Sequence, residues 1–244
     1  MSAVENVKVI SVVRDFPLYR RCVEDNPNLQ DVEKVCLDNR EGNEPVPVRY
    51  NAFLDGYDHS RPAWLVFCHE DFEIAEPVRP LLNGLDRETL HGPIGCSRQS
   101  FLGLGRQIYS GCIEECDRGD ESHRWMVGRK VPKGTEVETF DCCCLIVHSD
   151  LVKRFSLRFD EALAFDLYVE DFCAMSKVCH GIASKVLPLS AIHHSGSVPT
   201  ERLTRHLPYL RRKYPRNCFA ATCTYFGTMP FVMRVQRKLM GRSV

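Results

Sequence analysis

Ala63-Trp64-Leu65-Val66-Phe67-Cys68-His69-Glu70-Asp71 is the stretch that decides how this chain is read. Its first six residues are apolar without alternation, and three polar residues follow at once. An unbroken apolar run of this length matches a strand covered on both faces, the usual state within a parallel sheet. The polar triplet then emerges at the carboxyl end of that strand, where open α/β sheets bind their ligands.

Working outward, the flanking segments alternate between strand and helix patterns. Val7–Val13 is rich in β-branched residues and reads as a first strand. Tyr19–Asn26 reads as a helix start ended by Pro27, and Val32–Leu37 as a second strand stopping at Asp38-Asn39. Tyr50, Phe53, Leu54 and Tyr57 recur at spacings of three and four, which predicts a helix over Val48–Tyr57. Beyond the quoted stretch, Leu85–Cys96 predicts a helical turn and then a strand. Ser97–Gly134 is glycine-rich, charged and aperiodic, and is expected to be a functional loop region. Thr139–Val147 reads as one buried strand, Ser149–Phe155 as a short helix, and Val169–Cys179 as a longer helix stopped by Gly181. Ala183–Leu187 is a last strand leading into Ile192-His193-His194-Ser195. The order predicts an α/β fold with a mostly parallel central sheet flanked by helices.

The 244 residues, 44% hydrophobic and 26% charged, suffice for one globular unit with a sizeable core. No apolar stretch reaches eighteen residues and the N-terminus lacks a signal-peptide pattern, so a cytoplasmic location is expected. Thirteen cysteines, an odd number, argue against a disulfide scaffold. Cys112 with Cys116, and Cys218 with Cys223, have the spacing of half a zinc site but no second half. The cysteines are therefore expected to be small apolar residues kept reduced. The zero net charge hides an asymmetry. Residues from Arg202 to Val244 carry ten Lys and Arg and no acid, leaving 22 basic and 32 acidic residues before them. This divides the chain into a body, residues 1–200, and a basic appendage, residues 201–244. The appendage either packs on the acidic body or lies peripherally on an anionic membrane. No nucleic-acid-binding module is recognisable, and none is expected as a partner.

Potential chemistry gathers where the strands end. Arg14-Asp15 follows the first strand, Asp38-Asn39 the second, His69-Glu70-Asp71 the third, and His148 and His193-His194 the later ones, while Asp141 lies inside the Thr139–Val147 run. Carboxylates and imidazoles recurring at one edge suit a divalent cation and a phosphorylated ligand. Each also has a plainer reading. Asp38-Asn39 makes a turn, Asp71 caps one, His193 and His194 are surface residues, and Asp171 is a helix-start acid favoured by the macrodipole. A dinucleotide fingerprint, a phosphate-binding loop and a nucleophile elbow are all absent from the sequence.

Five elements in order resemble the glycosyltransferase family 2-like group, whose fold is GT-A. They are Tyr50-Asn51, Phe67-Cys68-His69-Glu70-Asp71, Phe140-Asp141-Cys142-Cys143, Phe159-Asp160-Glu161 with Tyr168-Val169-Glu170-Asp171, and His193-His194-Ser195. The resemblance spans Val7 to Gly196. It implies an inverting transferase that moves a sugar from a nucleotide-diphosphate donor to an acceptor hydroxyl, in polysaccharide or glycoconjugate synthesis. The acceptor it implies is a saccharide or a lipid-linked one. It further implies Mn²⁺ or Mg²⁺ held by Asp71, His69, His193 and His194, donor contacts from Asp15, Asp38, Asn51 and Asp71, acceptor contacts from Asp141 and Glu170, and Asp171 as general base. The family's first metal-motif aspartate is His69 here, and imidazole suits Mn²⁺ better than Mg²⁺. The Gln-x-x-Arg-Trp element of processive synthases does not follow Asp171, which favours single additions. The alternative expectation is a non-catalytic relative that binds a nucleotide sugar or a partner.

Overall fold

The computed structural model describes residues 6–101, 104–118, 120–195, 200–230 and 233. The chain opens with β1 (Asn6–Val13) and a short helix α1 (Phe16–Tyr19) that runs on into a π-helical turn, Arg20–Glu24. There follow β2 (Glu33–Asp38), α2 (Val46–Asp55), β3 (Ala63–Cys68), β4 (Phe72–Ile74) and α3 (Val78–Leu82). Next come β5 (Leu90–Gly92), β6 (Ile94–Phe101), β7 (Leu104–Asp117), β8 (Asp120–Arg129), β9 (Glu136–Val137), β10 (Thr139–Phe140) and β11 (Cys144–His148). The last part carries α4 (Ser149–Phe155), α5 (Tyr168–His180), β12 (Ser184–Val186), β13 (Ala191–His193), α6 (Thr200–Thr204), α7 (Leu207–Lys213), β14 (Cys218–Ala220) and β15 (Tyr225–Gly227).

The architecture is mixed α/β. The main sheet has the order β2-β1-β3-β11-β5-β12-β9. Its β2-β1-β3 edge is parallel, as is β5-β12, but β11 runs antiparallel to both neighbours and β9 antiparallel to β12. The expected mostly parallel sheet is thus corrected to a mixed one. The cause is that β11 enters from a second sheet rather than from a crossover helix. That second sheet, ordered β10-β6-β7-β13-β4 with β8 on β7, occupies much of the region expected as loop. Its strands escape the apolar test because they are rich in charged residues and because Trp125 and Met126 face solvent, which blurs the alternation of apolar and polar positions. Glycines mark where this backbone closes up. A Cβ on Gly111, at φ +85°, would lie 2.0 Å from the Pro93 carbonyl oxygen.

The run Thr139–Val147 is not one strand. It breaks at Asp141–Cys143, where the Asp141 carboxylate accepts from the Cys143 N–H at 3.1 Å, and resumes as β11 in the main sheet. The quoted stretch behaves as its composition predicts. Along β3, Leu65 and Phe67 join the core beneath α2 and α5, while Trp64, Val66 and Cys68 join the core beneath α1 and β4. Both faces are covered, so no alternation shows.

Leu210, Tyr214, Phe219 and Phe226 belong to the same core as Leu65 and Phe67. The described part of the basic segment is therefore built into the body, with Lys213 on Asp160 at 2.5 Å and Arg202 on Asp166 at 2.7 Å. Arg234, Arg237, Lys238 and Arg242 lie outside the described residues. All thirteen cysteines are free, and eight are buried. Among the described residues no helix is long and apolar enough to cross a membrane.

Candidate metal centre and groove

The turn between β3 and β4 carries His69, Glu70 and Asp71. It is closed by the Phe72 N–H on the His69 carbonyl at 3.2 Å and tied to β13 by the His194 N–H on the Asp71 carbonyl at 2.9 Å. This second bond brings His193, the last residue of β13, beside Asp71. One imidazole nitrogen of His69, one of His193 and one Asp71 oxygen lie within 4.8 Å of one another. His193 Nε2 is 3.4 Å and His69 Nδ1 3.8 Å from Asp71 Oδ1.

The outer nitrogens identify what these atoms present to each other. Tyr168 donates its hydroxyl hydrogen to the Cys142 carbonyl at 3.2 Å, so at 2.9 Å His69 Nε2 donates to the Tyr168 oxygen. His69 Nδ1 is then a bare lone pair. His193 Nδ1 lies 3.1 Å from Glu115 Oε1, and a hydrogen there leaves a lone pair on Nε2. Both Asp71 Oδ1 and His193 Nε2 are buried without a hydrogen-bond partner. With His193 in that neutral form the three converging acceptor atoms fit a cation, and a carboxylate on the far side of a ligating histidine is the usual supporting partner. Two imidazoles and one carboxylate suit Mn²⁺ or a later transition metal better than Mg²⁺.

The electrostatics agree. Burial acts against charge on Asp71, but His193, His69 and Arg118 outweigh it and hold the carboxyl below its ordinary range. Burial pushes His69 down and keeps it neutral. Burial opposes charge on His193 too, yet the Asp71 and Glu115 carboxylates push it up to about 10, so a proton holds the position a cation would take.

His69, Asp71, Arg118 and Phe165 border two concavities at once. On one side a cleft is walled by Val12, Arg14, Asn39, Tyr50 and Glu70, at the carboxyl ends of β1, β2 and β3. On the other a cavity of about 380 Å³ is walled by Glu115, Asp141, Asp166, Glu170, His193 and Arg202. Sharing these four residues, the two make a groove of two parts with the candidate metal cluster at its waist.

The sequence-derived candidates divide sharply. Asp71, His69 and His193 meet, and Asp141 and Glu170 share the cavity wall. His194 does not join them. Neighbouring side chains on an extended strand end point to opposite sides, and His194 Nε2 instead meets Glu73 Oε2 at 2.9 Å. Asp15 spends its carboxylate capping α1 through the Leu18 N–H at 3.2 Å. Asp38 is exposed and paired with Arg40. Asn51 clamps the Phe159 backbone through both ends of its amide, at 2.9 and 3.0 Å. Asp171 is buried and turned from the cavity, accepting from Lys213 at 2.7 Å and the Tyr214 hydroxyl at 2.8 Å. Its neighbour Glu170 faces the cavity with Oε2 unpartnered, and burial beside Asp141 pushes its carboxyl well above the usual range.

Sequence reading missed Glu115, Arg118, Phe165 and Asp166. Glu115 and Arg118 belong to the segment taken for loop, where no period exposes them. Phe165 and Asp166 had a signal, since they stand just before the Tyr168–Asp171 element. Leu167 beside them holds φ +66°, a left-handed conformation unusual for leucine, at the start of α5.

No family model and no curated protein matches the chain. Among solved structures it is similar to the crystal structure of A197 from STIV, with 19% identity over 77% of this chain and 85% of that one and a TM-score of 0.41, a likeness too distant to carry fold or function across.

Proposed function

We propose that the protein is a metal-dependent inverting glycosyltransferase of GT-A type, moving a sugar from a nucleotide-diphosphate donor to an acceptor hydroxyl. The observation that carries this reading is the His69–Asp71–His193 cluster at the waist of a two-part groove. A cation there would neutralise charge developing on a diphosphate leaving group. The cleft beyond the ends of β1, β2 and β3 occupies the place where α/β sheets take nucleotides. The acidic cavity on the other side would then take the acceptor.

The proton from the acceptor hydroxyl needs a base on the cavity side. Asp166 is clamped by two bonds from Arg202, and Asp141 is held by Thr222 and the Cys143 N–H. Glu170 keeps a free oxygen, and its raised pKa makes it, once ionised, a stronger base than an ordinary carboxylate. Glu170 therefore takes the role the family resemblance gives to Asp171.

The test is to supply the protein with a panel of nucleotide-diphospho sugars and Mn²⁺ and follow release of the nucleoside diphosphate. Release that vanishes in Asp71→Asn supports the reading. Tight nucleoside-diphosphate binding with no release would favour the non-catalytic relative, and neither binding nor release would sink both.

A further inference from the structure

A divalent ion neutralises part of a diphosphate, and the groove offers a second cation placed for the rest. We propose that Arg118 is a diphosphate-binding residue, gripping the anion beside the ion held by His69, Asp71 and His193. The identity of the anion rests on the nucleotide-diphosphate reading above.

The case begins with how Asp71 shares its two oxygens. Oδ1 faces His193 Nε2 and His69 Nδ1 and has no hydrogen-bond partner. Oδ2 accepts from Arg118 Nη2 at 3.0 Å. The guanidinium therefore stands next to the ion's position without occupying it. A divalent ion held by Asp71, with the guanidinium already on Oδ2, would bring three positive charges to one carboxylate. That excess favours an anionic ligand lying across both.

Position narrows the choice among the basic residues. Arg14 borders only the cleft. Arg202 borders only the cavity and is committed to Asp166 at 2.7 and 2.8 Å. Arg118 borders both, at the junction where the diphosphate of a donor in the cleft would meet the acceptor side. A guanidinium has five N–H donors, and the contact with Asp71 uses one. Its planar fork matches two phosphoryl oxygens, which a lysine cannot do. Arg118 follows β7 directly, and half of its side chain is exposed, so it has room to turn onto a ligand.

The experiment uses the full chain as wild type, Arg118→Gln and Arg118→Lys. Calorimetry would measure Mn²⁺ alone, then inorganic pyrophosphate added as its Mn²⁺ complex. A thermal melt of each variant checks that the half-exposed site tolerates the change. The expected result is pyrophosphate affinity lowered about tenfold or more in Arg118→Gln, the equivalent of one charge-assisted hydrogen bond, with Arg118→Lys between. Mn²⁺ affinity should stay equal or rise, because a competing positive charge has left Asp71. Equal pyrophosphate affinity in Arg118→Gln and wild type would overturn the proposal, and so would a wild type that does not bind the complex. A fall in Mn²⁺ affinity matching the fall in pyrophosphate affinity would also overturn it, since Arg118 would then only position Asp71. Pyrophosphate carries no sugar, which separates the two failures. Arg118-dependent binding without turnover of any nucleotide sugar leaves this proposal standing and removes glycosyl transfer. Turnover by Arg118→Gln at the wild-type rate does the reverse.

Discussion

His193 and His194 are neighbours in sequence, and each meets a carboxylate, yet they serve two unlike clusters. On the groove side, His193 joins His69 and Asp71, and two of the converging atoms have no hydrogen-bond partner. On the other side, His194 joins Glu73 and Cys22, where the imidazole and the carboxylate satisfy each other at 2.9 Å. Ligand-type residues are equally available in both places. The difference lies in whether their polar atoms are spent on each other or left facing an open groove. A satisfied pair stabilises the fold, whereas an unsatisfied buried set carries a free-energy penalty that a cation relieves. The groove cluster is therefore the metal candidate and the Cys22–Glu73–His194 cluster a structural contact.

The strongest way to break this comparison is Asp71→Asn. Removing the one anionic ligand should weaken Mn²⁺ binding by roughly 100-fold or more, beyond the 10–100-fold typical of losing an outer-shell partner. Calorimetry with Mn²⁺ would show it, and retention of wild-type affinity would end the claim for the groove cluster. Glu115→Gln comes next. It keeps the shape but removes the charge behind His193 Nδ1, so a loss of about tenfold in Mn²⁺ affinity is expected with the fold intact. A smaller and different effect is expected from His194→Ala. It leaves Glu73 unpaired and opens space beside Cys22, costing about 1–3 kcal/mol in denaturant unfolding. Mn²⁺ affinity at the groove should not change. If His194→Ala lost the metal as His193→Ala should, the two clusters would have to be treated as one.

The comparison also shows what the sequence made legible. The strand Ala63–Cys68 was readable to the residue, because a doubly covered strand needs an unbroken apolar run and this one has it. Its polar end was readable too, since the chain has nowhere to put His69-Glu70-Asp71 except past the sheet edge. The choice between His193 and His194 was not. It depends on a one-residue phase set by the bond from the His194 N–H to the Asp71 carbonyl, a contact between residues far apart in sequence. The Glu170–Asp171 pair has the same ambiguity. On α5 the two carboxylates sit about 100° apart, and only the arrival of Lys213 and Tyr214 from the basic segment decides which is tied into the body and which is left on the cavity wall. The β7–β8 hairpin was hidden for a further reason. Its exposed Trp125 and Met126 and its many charges remove the polar-out, apolar-in signal on which strand reading rests.

The Glu170–Asp171 pair yields the last test, and it works through pH. Glu170 is buried, and its carboxyl is pushed well above the ordinary range by that burial and by Asp141. The folded state therefore holds a proton on Glu170 at pH values where the unfolded chain has lost it. A pKa raised on folding gives stability that is complete below the unfolded value, near 4.5, and is lost as pH rises toward the folded value. Glu170→Gln keeps the neutral shape and cannot ionise, so it removes this loss. The variant should match wild type near pH 4 and become progressively more stable above it. The limiting slope is ~1.4 kcal/mol per pH unit until the folded carboxyl titrates. Urea unfolding of both proteins across pH 4 to 8 measures the difference. Asp171→Asn makes the contrast through its partners: burial raises the Asp171 carboxyl too, but Lys213 and Tyr214 oppose that rise, and the variant loses an ion pair that Glu170 does not have. A Glu170→Gln curve parallel to wild type would mean that Glu170 is ionised in the folded protein at neutral pH. The cavity would then already hold a carboxylate base, and the transfer rate should not climb with pH. A diverging curve predicts a rate that rises with pH as Glu170 ionises.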